Sequence, residues 1–234
     1  MFDPLSPAET EAVRLSLKVA TVSVLASLPP GFALAWLLAR KAFPGKTLLD
    51  AVIHLPLVLP PVVVGYVLLV LFGRRGPFGH WLEETFGLVL AFRWTGAALA
   101  CALMGLPLLV RAIRQSLEGI DRRLETAAAT LGAGRWWVLA SVTVPLCAPG
   151  IVTGMLLSFA RSLGEFGATI TFVSNIPGET QTLPLAIYAY TQVPGGDALA
   201  MRLCVLSVIL SLVALVVSEL IVRRANRGIH GDAR

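Results

Sequence analysis

The chain has 234 residues, of which 56% are hydrophobic and only 14% charged, and its mean hydropathy is +0.78. Soluble domains carry about 25% charged residues, so this composition excludes a water-soluble globule and points to a bilayer. The net charge of +5 does not indicate a nucleic-acid partner, because the few cations sort to the loops of one side and so report orientation.

Residues 1–11 carry Asp3, Glu9 and Glu11 and no basic leader region, so the first apolar run is expected to be a retained span. Uncharged runs at 19–39, 51–72, 94–110, 136–160 and 203–218 approach the ~20 residues needed to cross. Arg and Lys snorkelling at the ends extend the shorter ones. The expectation is an all-α integral membrane protein, one domain over 1–234, with five transmembrane helices near 12–39, 48–72, 92–113, 147–172 and 199–224.

Pro56, Pro60 and Pro61 interrupt the second span. Proline frees backbone carbonyls that only protein contacts or a watery cavity can satisfy, so both a kinked helix lining a pathway and an ordinary kinked core helix fit. The outer loop at 73–93 mixes Arg74, Arg75, Glu83 and Glu84 and suits either a docking partner or plain solvation. Residues 136–144 are apolar, but Pro145 and Pro149 separate them from the fourth span, which predicts an interfacial or re-entrant segment. Residues 178–197 are expected to add a short helix at the outer face.

Positive charge accumulates in cytoplasmic loops. One side holds twelve cations, Arg40, Lys41, Lys46, Arg111, Arg114, Arg122, Arg123, Arg135, Arg223, Arg224, Arg227 and Arg234; the other holds six, Arg14, Lys18, Arg74, Arg75, Arg93 and Arg202. The N-terminus is therefore expected outside and the C-terminus in the cytoplasm. Trp81 and Trp94 at the outer edge and Trp36 near the inner one suit interfacial belts.

Arg161, the remaining cation, lies inside an apolar run four residues before Glu165. Intramembrane ionisable groups pair or face a water-filled path. An anion route or gate, with Ser162 as hydroxyl donor, and a simple lock between spans both satisfy that rule. His54 is alone in its run and reads as a packed or interfacial residue rather than a proton relay. Cys101, Cys147 and Cys204 have neither CxxC spacing nor a pairing pattern and read as packed thiols, without metal. An intramembrane enzyme would need HExxH, GxSxG or clustered ligands, none of which occurs. No GxxxxGK[ST] occurs either, so no nucleotide site is expected in this chain.

After Arg111 the character changes to amphipathic. Ile120, Leu124, Ala127, Ala128 and Leu131 recur at helical spacing, with Asp121, Arg122, Arg123 and Glu125 on other faces, and Gly132 and Gly134 end the helix. Such a helix, with a turn and a second apolar segment behind it, can seat in a groove of another protein. The stretch Thr126-Ala127-Ala128, then Gly132, then Val142-Thr143-Val144-Pro145 resembles the hallmark of the binding-protein-dependent ABC importer permeases: EAA, three residues, Gly, nine residues, I-x-L-P. Thr126 stands at the acidic position, with Glu125 one residue earlier, and Val142 and Val144 replace larger aliphatics.

Within that family, the stretches 55–66, 161–168 and 172–180 are similar to the permeases for tetrahedral oxyanions, molybdate foremost, with tungstate and sulfate as alternatives. The resemblance implies a type I importer permease fold and a homodimer with the pathway on its two-fold axis. It also implies two copies of a cytoplasmic ABC ATPase that bind ATP and Mg, a periplasmic binding protein for molybdate, and an inner-membrane setting. Glu125, Thr126, Ala127, Ala128, Gly132, Val142 and Pro145, within coupling helices at about 116–145, would contact the ATPase. Pro60, Pro61, Arg161, Ser162 and Glu165 would line or gate the pathway.

Overall fold

The computed structural model describes residues 6–230, apart from the side chains of 218, 219 and 221–230. Arg234 and the side chains of Arg223, Arg224 and Arg227, counted above for orientation, lie outside that set. Every regular element among the described residues is a helix. The first, α1 (Pro7–Arg40), opens on a capping box. Glu9 N–H donates to Ser6 Oγ at 3.3 Å and Ser6 N–H to the Glu9 carboxylate at 2.7 Å, which satisfies two of the free donors of the first turn. The helix then runs through Pro29 and Pro30 without a break.

The second apolar stretch forms two helices, α2 (Lys46–Val58) and α3 (Pro61–Phe72), bent by 112°. The bend is that of a broken span or a re-entrant loop, in place of the single kinked helix expected for 48–72. Two successive residues without N–H at 60–61 leave Leu59 and Pro60 extended, and the new helix starts with Pro61 at its first position, where proline is tolerated. The loop at 73–93 contains a short helix, α4 (Pro77–Phe86), and leads to α5 (Trp94–Glu118). Beyond α6 (Arg122–Thr130) and α7 (Arg135–Val138), a π turn at Leu139–Thr143 joins α7 to α8 (Val144–Leu163).

The fourth span is therefore the 29-residue stretch Arg135–Leu163. Residues 136–144 are thus continuous with the helix that follows rather than separated from it, and that helix stops at Leu163, short of the expected 172. Pro145 cannot donate to the carbonyl four residues back and would clash with it. The turn before it widens instead of ending, and Val144 N–H bonds Leu139 C=O. The chain leaves the helix only at Gly164, resumes as α9 (Gly167–Val173) and α10 (Leu183–Thr191), and closes with α11 (Asp197–His230). α10 is the short helix expected within 178–197. Among the described residues four helices are long and apolar enough to cross, and the bent α2–α3 pair adds a fifth if it is counted as one span.

The bundle is organised around α5, which packs against both α1 and α8. Two large apolar layers fill it, beside a smaller cluster of Ala12, Leu183, Ala186 and Leu203. One joins Val19, Leu68, Cys101, Met104 and Phe172; the other joins Leu38, Ile53, Leu109, Ile113 and Cys147. Cys101 and Cys147 are buried and Cys204 half-buried, all as free thiols. The close α5–α8 contact comes from a Gly150-x-x-x-Gly154 pair, whose missing side chains let backbones approach, as small residues do between membrane helices. A Cβ on Gly150 would collide with Ser116, and one on Gly154 would sit 3.0 Å from the Leu109 carbonyl oxygen. Gly150→Ala gains about 1 kcal/mol of helix propensity but overpacks a rigid contact at a cost of about 1–3 kcal/mol. A net loss is expected, read as a lower thermal midpoint of the purified protein in detergent; a raised midpoint would contradict this packing.

Candidate functional site

The two helix breaks meet. A Cβ on Gly167 would lie 2.8 Å from Pro61 Cβ, and one on Gly65 would lie 2.5 Å from the Ala168 carbonyl oxygen. The break at Pro60–Pro61 thus lies against the break at Gly164–Phe166, and α3 packs closely along α9. Broken helices expose backbone dipoles at membrane depth, and transport proteins place such irregular backbone at their pathways.

Arg161 and Glu165 sit beside this junction. Arg161 Nη1 is 2.6 Å from Glu165 Oε2, and Ala168 N–H donates to Glu165 Oε1 at 2.8 Å. The carboxylate therefore ties the last turn of α8 to the first turn of α9. Both of its oxygens are used and its side chain is 1% exposed, against 27% for Arg161. The pair expected from the spacing of four is present, but it bridges a break instead of lying along one helix. Ser162 is buried; its hydroxyl donates to Ser158 C=O at 2.8 Å and lies 3.1 Å from Ser23 Oγ of α1. It belongs to the α1–α8 contact in this structure.

At the other end of the bundle, α6 is the amphipathic helix expected at the start of the loop. Asp121 caps it by accepting from Arg123 N–H at 2.9 Å, and Gly132 ends it at φ +89°, the left-handed region that favours glycine. The structure separates the two neighbours at the acidic position. Glu125 points into the protein, where Arg40 Nη2 at the end of α1 and Thr143 Oγ1 in the π turn both lie 2.8 Å from its Oε1. Thr126 is exposed, and its hydroxyl donates back to Arg122 C=O at 3.1 Å. Ala127 and Gly132 are also exposed, Ala128 and Val142 half-buried, and Pro145 exposed in the first turn of α8. Leu131 and Trp136 stand 89% and 83% exposed, an apolar surface on a loop that carries charge elsewhere.

Sequence reasoning missed two contacts. Asp50 of α2 lies 3.1 Å from Arg114 Nη1, whose Nε is 2.8 Å from Glu118. The Arg114–Glu118 spacing was visible, but nothing local announces Asp50. His54 Nδ1 sits 2.8 Å from Asp50 C=O on its own helix, a local partner that fits the packed role. The buried Arg40–Glu125 pair spans 85 positions and left no local signal either. No group of three or more metal-ligating side chains occurs among the described residues.

A buried ion pair at a junction of broken helices, and a polar helix pinned by a second pair at one end of the bundle, define the class: a multi-pass helical transport component. The chain belongs to the family of binding-protein-dependent transport system inner membrane components, whose pattern matches residues 31–227. It is accordingly an inner-membrane transport subunit and not an enzyme. Over 219 residues it is 60% identical to the molybdenum transport system permease protein ModB of Escherichia coli K12, covering 94% of this chain and 96% of that one. It is 38% identical over 208 residues to the sulfate transport system permease protein CysT of the same strain, covering 88% and 75%. The fold is similar to that of the MetNI methionine ABC transporter in an inward-facing form, with a TM-score of 0.72 at 18% identity over 96% of this chain and 99% of that one.

Proposed function

We propose that this chain is the permease subunit of an ATP-driven importer of molybdate. The observation that carries the substrate is the 60% identity to a molybdenum permease across nearly the whole of both chains, against 38% to a sulfate permease. Two copies pair so that the α3–α9 junctions face each other across the pathway. A periplasmic binding protein delivers the oxyanion, and two cytoplasmic ATPases carry the ATP and Mg. The N-terminus lies outside and the C-terminus inside, consistent with the distribution of Lys and Arg.

Transport follows alternating access. ATP closes the ATPase pair, α6 and the turn to Pro145 move with it, and the Arg40–Glu125–Thr143 link passes that motion into α1 and the fourth span. The bundle then opens outward to accept the anion, and hydrolysis resets it. Selectivity belongs mainly to the binding protein, since a pathway must hold its ion weakly enough to release it. Uptake of labelled molybdate into vesicles holding the complete transporter tests the assignment. Equimolar sulfate should leave uptake unchanged, and displacement by sulfate would defeat the substrate assignment.

The ATPase contact rests on small residues: Ala127, Ala128 and Gly132. Asp at Gly132 puts a charged side chain into that contact at a left-handed position. Gly132→Asp is therefore expected to lower uptake more than Thr126→Ala, which removes only a hydroxyl bonded within its own helix. Equal or reversed effects in the same vesicle assay would count against small-residue docking.

A further inference from the structure

A cavity of about 500 Å³ lies between the end of α1, α6 and α7. Arg40, Lys41, Arg122 and Arg135 line it, against the single carboxylate of Glu125. That carboxylate is already engaged by Arg40 and Thr143, so the cavity holds a surplus of cationic donors. The Arg40 side chain is only 9% exposed, and its Nε–H is buried with no acceptor. A buried donor left unmet costs about 1–3 kcal/mol, which marks Arg40 as built to meet an acceptor from outside the chain.

The depth of the cavity names that acceptor. Arg40 is the last residue of a membrane-spanning helix, so the cavity begins where the apolar run stops, at headgroup level. Trp36 and Trp136 form two of its walls, and indoles concentrate at that level. Lys41 Nζ stands 5.7 Å over the Trp36 ring. We infer that this cavity binds the phosphate headgroup of an anionic phospholipid, with Arg40, Lys41, Arg122 and Arg135 as donors and the acyl chains running along the apolar bundle surface. Basic pockets at helix ends are the known setting for such headgroups. Because α6 is one wall, the lipid braces the helix that docks the ATPase. The leaflet rests on the orientation proposed above; the site itself does not.

Native mass spectrometry of the purified permease–ATPase complex tests this, with phosphatidylglycerol or phosphatidylcholine added. The complex should retain phosphatidylglycerol in preference to phosphatidylcholine. Arg122→Gln with Arg135→Gln should weaken that retention roughly 25-fold, about a factor of five per cation, while the ATPase still copurifies. Should the double variant fail to assemble, Lys41→Gln alone should weaken it roughly fivefold. Arg74→Gln with Arg75→Gln, in the loop before α4, removes the same charge and should change nothing. Equal retention of both lipids, an equal loss in the Arg74/Arg75 control, or displacement of the lipid by added free molybdate would each overturn the assignment. Lipid retention in a transporter that fails to import molybdate would instead overturn only the proposed substrate.

Discussion

Glu165→Gln is expected to lower the thermal midpoint of the purified permease by several degrees and to abolish uptake by the complete transporter. The Gln carbonyl can still accept Ala168 N–H, so the loss isolates the charge. It leaves the Arg161 guanidinium, three-quarters buried, without its counter-ion. Removing one partner of a buried pair costs about 3–5 kcal/mol, and the partial exposure of Arg161 places this case at about 3 kcal/mol. Both carboxylate oxygens are engaged within the chain, by Arg161 and by Ala168 N–H, and the expected result follows if the pair acts as a lock between α8 and α9. Removing both charges should relieve the orphaned cation. The Arg161→Gln/Glu165→Gln double variant is therefore expected to regain most of the midpoint and part of the uptake. A double variant no better than the single one would show that the lock account is wrong.

Glu125→Ala comes next in size. It severs both arms of the link from α6, to Arg40 and to Thr143, and strands a guanidinium that is almost fully enclosed. Because Glu125 is itself about a quarter exposed, the cost to global stability is about 2 kcal/mol. The functional effect should be larger than the stability effect. With α6 untied, the ATPase still binds and hydrolyses ATP, but uptake per ATP hydrolysed falls at least roughly tenfold, corresponding to about 1.4 kcal/mol of lost coupling. Thr126→Ala, one residue away, should keep the ratio near that of the unaltered transporter. The comparison needs hydrolysis and uptake measured on the same vesicles; a normal ratio in Glu125→Ala would place the link outside the coupling route.

Much of the architecture was legible because a bilayer allows few solutions. Runs of about 20 apolar residues can cross only as helices, so an expectation of five spans followed from composition and spacing, and the polar break after Arg111 marked the loop that carries α6. The alternating faces of 120–131 and the stop at Gly132 announced that helix through local periodicity, which needs no tertiary context, while the cap by Asp121 emerged only in the structure. The breaks were legible as prolines, but their consequences were not. Pro60 and Pro61 produced a turn of 112°, whereas Pro145 produced only a π turn inside a continuous helix. The difference lies in what surrounds each: Gly167 and Gly65 make room for the first break to fold back against α9, while the second sits in a span held along its length by α5.

By itself the sequence determined the membrane class, the helical content and the place of the amphipathic loop, since all of these depend on short-range patterns of polarity. Only the tertiary structure decided that the breaks after Leu59 and Leu163 lie against each other, that Glu165 bridges a gap, and that Glu125 and not Thr126 turns inward to Arg40. Those outcomes depend on residues far apart in the chain. The hydrogen bonds and close approaches that select them exist only once the helices have packed.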